Sequence, residues 1–121
     1  MGLKEWRLIE ASQRRAFPPR LPQQPIFYPV TNEQYAILIA RDWNSSDPNS
    51  GYVGLVTAFD LPEEFVERYP VQTVGGRVAQ ELWVPAEELA EFNAQIVGPI
   101  RLLHVYYGEE YRGPRGLGGF P

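Results

Sequence analysis

Tyr52-Val53-Gly54-Leu55-Val56-Thr57-Ala58-Phe59-Asp60-Leu61 is the stretch on which the fold turns. Val53, Leu55, Thr57, Phe59 and Leu61 alternate with Gly54, Val56, Ala58 and Asp60, the period of two that a strand imposes on its side chains. Both sets are largely apolar, which predicts a strand in a central position, covered on both sides. Ahead of it lies NSSDPNSG at 44–51, turn chemistry throughout. Upstream again, Tyr35, Ala36, Ile39, Ala40 and Trp43 share one face of a helix expected over 33–43. Thr31 or Asn32 stands where a side-chain oxygen can cap it.

Further out on the N-terminal side, Ile26-Phe27-Tyr28 reads as a short strand stopped by Pro29. The run Phe17-Pro18-Pro19-Arg20-Leu21-Pro22-Gln23-Gln24-Pro25 forbids helix and favours an extended path. Its Pro19-x-x-Pro22 and Pro22-x-x-Pro25 spacings match a minimal ligand pattern for proline-binding domains, although a rigid connector explains them as well. Leu3, Trp6 and Ile9 predict a first helix from Leu3 to about Ser12.

On the C-terminal side, 62–69 reads as a short helix or turn, acidic at its start. Residues 71–74 and 77–84 have the form of two strands about Gly75-Gly76. A helix is expected from Pro85, with Leu89, Phe92 and Ile96 inward, and a final strand over 100–107. The expected organisation is one α+β domain over 1–112, with a mixed or antiparallel sheet and flanking helices. The segment 113–121, GPRGLGGFP, is a flexible Gly/Pro-rich tail unless it docks on something.

Composition narrows the chemistry. The 121 residues fit one domain, and 44% hydrophobic with 13% aromatic residues argues against disorder. No cysteine and a single histidine, His104, exclude thiolate nucleophiles, cysteine-held metals and a multi-histidine site within one chain. The net charge of -4 disfavours nucleic acid as a partner. Residues 1–20 carry five bases against Glu5 and Glu10, whereas 60–91 carry eight acids against Arg68 and Arg77. No apolar run approaches a membrane span and no leader precedes residue 20, so a cytoplasmic protein is expected. The phosphate-loop, dinucleotide-fingerprint and H-E-x-x-H patterns are missing, and His104 reads as a hydrogen-bonded structural residue. Carboxylate chemistry is the enzymatic option that remains.

Two segments direct that option. Phe27-Tyr28-Pro29-Val30-Thr31-Asn32-Glu33-Gln34-Tyr35-Ala36 is a strand, a polar switch and a helix. Gln80-Glu81-Leu82-Trp83-Val84-Pro85, followed by a helix and Gly98-Pro99-Ile100, sets a carboxylate at the start of an apolar strand. A glutamate so placed otherwise faces water or pairs with a neighbour such as Arg77. Together, over about 26–105, the segments resemble the mono-ADP-ribosyltransferase fold and the small bacterial proteins labelled ADP-ribosylation/crystallin J1.

The resemblance implies an ADP-ribosyltransferase-like domain that uses NAD as a substrate, with no tightly bound cofactor and no metal. Glu81 would be the catalytic carboxylate, bonding the ribose 2′-hydroxyl and stabilising positive charge as the bond to nicotinamide loosens. Tyr28 or Thr31 would line the NAD pocket, the former with an aromatic face for stacking. The family's first strand, with its arginine or histidine, has no counterpart here. Ala79 stands where the arginine-modifying group has glutamine or glutamate. The alternative expectation is a non-catalytic interaction module that engages a protein partner through the proline-rich segment and the tail.

Overall fold

The long strand is present and antiparallel to the last one. In the structure, a computed structural model that describes residues 1–120, β2 spans Val53–Asp60 and β6 spans Val97–Tyr107. Their register runs from Val53 opposite Tyr107 to Asp60 opposite Val97, with shifts between Val56 and Thr57 and between Ala58 and Asp60. The remaining elements in chain order are α1 (Leu3–Ala11), β1 (Ile26–Phe27), α2 (Glu33–Leu38), α3 (Glu63–Val66), β3 (Gln72–Thr73), β4 (Gln80–Glu81), β5 (Val84–Pro85) and α4 (Leu89–Gln95). Small antiparallel pairings and helices thus make an α+β domain.

The expectation of a central strand needs correction. β2 pairs with β6 along one edge only, in a two-stranded sheet. Its other edge is closed at one point by Met1, whose amino group donates to the Leu55 carbonyl while the Leu55 N–H donates to the Met1 carbonyl, both at 2.9 Å. The double apolar pattern has a different cause: helices, not further strands, pack on the ribbon. Val53, Leu55 and Val56 are buried to 1% exposure or less, as are Trp6, Ile9, Val84, Phe92 and Ile100. Each large side chain so buried contributes about 1.5–3 kcal/mol. Phe17, Phe27, Phe59, Phe65, Tyr69 and Phe92 join them through edge and tilted ring contacts of 4.9–6.3 Å between centroids.

α2 begins at an Asn32 cap: Asn32 Oδ1 accepts from the Tyr35 N–H at 2.8 Å, and Asn32 Nδ2 donates to the Val78 carbonyl at 2.7 Å. The helix then widens into a π-helical turn over Ile39–Trp43. Ala40, in that turn, lies so close to β2 that a Cβ on Gly54 would overlap its carbonyl.

Three further boundaries differ from the sequence reading. The hairpin closes through Val74 N–H to the Ala79 carbonyl rather than in a two-residue turn, with 75–78 as its loop. The expected strand over 77–84 is split into β4 and β5, because each half pairs with a different neighbour. Pro85 belongs to β5 rather than to a helix, and one 3₁₀ turn, Ala86–Glu88, intervenes before α4. Past β6, Tyr107 Oη accepts from the backbone N–H groups of Gly116 and Leu117 at 2.9 and 3.0 Å, and Arg115 lies over the Tyr107 ring.

Candidate functional site

Residues 25–31 and 80–86 form one antiparallel ladder. Ile26 stands opposite Pro85, Phe27 opposite Val84, and Val30 opposite Glu81. Between these pairs Leu82 N–H donates to the Pro29 carbonyl at 2.8 Å, and at the end Thr31 N–H donates to the Gln80 carbonyl at 3.1 Å. Pro29 has no N–H to return the bond, so the ladder is interrupted without losing register. The two segments singled out in the sequence are therefore direct neighbours.

Alternation along this ladder sorts the candidate residues. Phe27, Pro29, Leu82 and Val84 are buried. Tyr28 and Trp83, at facing positions on the opposite side, are 49% and 46% exposed. Their rings meet nearly at right angles, 6.4 Å between centroids, the edge-to-face arrangement that aromatic quadrupoles prefer. Trp83 Nε1 also donates to Glu81 Oε1 at 2.9 Å. Glu81 is thus tied to Trp83, two residues along the same strand face, and not to Arg77. Tyr28, Trp83 and Glu81 form one outward-facing cluster.

Thr31 departs from that cluster, being three positions from Tyr28 and so of opposite parity. It is exposed, and its hydroxyl is 3.4 Å from the Gln80 carbonyl. It lines a cavity of about 460 Å³ with Pro29, Asn32, Phe59, Leu82 and Leu103. Tyr28 lines a different cavity of about 240 Å³, with Phe17, Arg20, Phe27 and Phe59. The two cavities share a wall that includes Pro29, Val30 and Val56. Glu81 lines neither. The structure therefore brings Tyr28 and Glu81 together through Trp83, and it sets Thr31 on the other side.

Trp83 and Arg20 were not singled out by the sequence reading. An exposed tryptophan two residues from a candidate carboxylate on one strand was the available signal for the first. For the second there was none, because only the folded chain sets Arg20 against Phe27. His104 is held as anticipated, by a polar partner: its Nε2 lies 3.3 Å from Glu33 Oε1, at a half-exposed position. Among the described residues no group of three or more His, Asp or Glu side chains is arranged to hold a metal ion. No helix among them is long and apolar enough to cross a membrane. Compared with known proteins, the chain matches no family model, no curated protein and no solved structure.

Proposed function

We propose that this chain is an ADP-ribosyltransferase-like domain that takes NAD against the Tyr28–Trp83–Glu81 face. One observation carries the reading: an aromatic pair and a carboxylate, contributed by two separate segments, stand together on one side of a single ladder. Two rings at right angles offer both a face and an edge to a flat heterocycle such as nicotinamide. Glu81 Oε1 is occupied by the indole N–H, which leaves Oε2 to accept from a ribose hydroxyl. In the transfer step the bond between the ribose C1′ and the nicotinamide nitrogen breaks, and nicotinamide leaves with the electron pair. An acceptor, or water, supplies the new bond to C1′ and gives up a proton. A carboxylate beside the ribose stabilises the positive charge that develops in between.

The test is nicotinamide release from NAD by the purified chain and by Glu81→Gln, with NAD-dependent thermal stabilisation as a second readout. Release by the parent and not by a folded Glu81→Gln supports the assignment. No release and no thermal shift at millimolar NAD overturns it.

A second reading has its own observation. Neither Glu81 nor Trp83 lines a described cavity, and the Tyr28 and Trp83 side chains are each about half exposed. Exposed Tyr and Trp side chains are common anchors of protein interfaces. On this reading the domain is a non-catalytic interaction module, with the face supplemented by the proline-rich segment and the C-terminal tail. A partner that is retained by the parent and lost by Trp83→Ser, with no NAD response in either, would support it.

A further inference from the structure

The 240 Å³ cavity has an unusual end. Phe17, Phe27 and Phe59, whose rings contact one another at 4.9 and 5.0 Å, line it together with Arg20, while Tyr28, whose ring is turned outward to Trp83, borders it. The Arg20 guanidinium sits 5.6 Å from the centroid of the Phe27 ring, held there by cation–π attraction. Its Nε is buried and has no hydrogen-bond partner. Arg20 also forms no ion pair among the described residues, unlike Arg14, Arg41, Arg68 and Arg101, each of which has a carboxylate. A buried donor on a permanent cation, beside an aromatic cavity, favours a charge-assisted hydrogen bond to an oxyanion.

We infer that this cavity binds a small aromatic oxyanion, its ring against Phe17, Phe27 and Phe59 and its carboxylate or phosphate on the Arg20 guanidinium. The planar fork of arginine matches either group in bidentate fashion. The cavity, about 240 Å³ and open to solvent on one side, admits one ring with its acidic group toward Arg20. Glu5, the carboxylate among the lining residues, opposes the anion and sets a limit on affinity. The inference does not rest on NAD: Tyr28 borders both places, but Glu81 and Trp83 lie outside this cavity and Arg20 outside the NAD face, so Glu81→Gln and Arg20→Gln test the two readings separately.

Titration of the ¹⁵N-labelled full chain with benzoate, phenyl phosphate and neutral benzyl alcohol, followed by NMR, tests it. The Arg20 Nε–Hε resonance, assigned through its loss in Arg20→Gln, and the Phe27 and Tyr28 amides should shift saturably with the anions. Benzyl alcohol should bind at least about tenfold more weakly, and Arg20→Gln should raise the anion Kd by at least about tenfold. Glu5→Gln should lower it by about two- to fivefold. Arg20→Lys, which keeps the charge and loses the fork, should fall between the parent and Arg20→Gln and covers the case of a misfolded glutamine variant. The relative response of benzoate and phenyl phosphate identifies which oxyanion the site prefers. Equal binding of benzyl alcohol and the anions, unchanged affinity on losing the guanidinium, or shifts confined to Arg7 and Arg15 would overturn the inference.

Discussion

Trp83 Nε1 donates to Glu81 Oε1 at 2.9 Å, and this bond fixes the orientation of the carboxylate beside the Tyr28–Trp83 pair. Trp83→Phe keeps a ring opposite Tyr28 while removing the donor. Because the position is nearly half exposed, the change should cost no more than about 1 kcal/mol of stability in urea denaturation. NAD turnover, if the carboxylate must be oriented, should fall at least about tenfold. A variant with parental turnover would show that the indole bond is incidental.

Asn93 predicts a larger structural effect. Its side chain makes two bonds to Phe17, Oδ1 accepting from the N–H and Nδ2 donating to the carbonyl, both at 3.0 Å. These bonds fasten the connection after α1 to α4, and Phe17 itself is 4% exposed. Asn93→Leu leaves two backbone groups without partners and should destabilise the fold by about 1–3 kcal/mol, measured from the urea midpoint at constant slope. Loss below about 0.5 kcal/mol would mean that water satisfies both groups.

The close approach of Ala40 to β2 makes Gly54 irreplaceable. Gly54→Ala forces the π-helical turn away from the ribbon and should cost about 3 kcal/mol or more, with lowered soluble yield. Gly75→Ala meets no atom within 4 Å and should be nearly neutral by comparison.

Tyr69 supplies a pH dependence. Burial, followed by its hydrogen bond to Glu88 Oε1 at 2.7 Å, pushes its phenol up to about 12. In the unfolded chain the phenol ionises near the ordinary value of 10.0. Between those values the native state holds the proton and the unfolded state releases it, so stability falls with rising pH. The contribution is complete below about pH 10 and is lost as pH rises toward about 12. Tyr69→Phe should flatten the decline in denaturant midpoint between pH 9 and pH 11.5. An equal slope in the variant would assign the decline to other groups.

The sequence made some of this architecture legible and hid the rest for physical reasons. The period of two over 53–60, apolar on both faces, and the three-residue spacing of Leu3, Trp6 and Ile9, which reports one face meeting the core, identify β2 and α1. Asn32 was one of two candidate caps, and it is the residue that bonds Tyr35. By contrast, Val84 and Gln80 looked like parts of one strand. The change of partner from β3 to β1 depends on pairing with Ile26 and Phe27, far back in the chain, which local periodicity does not encode. For the candidate site, the resemblance points to Tyr28 and Glu81, and the structure sets them near one another through the Val30–Glu81 bridge and the Tyr28–Trp83 ring contact. The resemblance offers Tyr28 or Thr31 as the lining residue; the expected strand ends at Tyr28, and only the ladder's continuation past Pro29 assigns Thr31 to the opposite face. Trp83, between Tyr28 and Glu81, was read only as strand body.

The most direct measurement of the central claim is a nicotinamide-release assay on NAD, with the parent chain and a Glu81→Gln variant shown to be folded by its unchanged urea transition. The account predicts release by the parent and a loss of at least about a hundredfold in Glu81→Gln. Equal release by both proteins, or none by either with no thermal response to NAD, would contradict it.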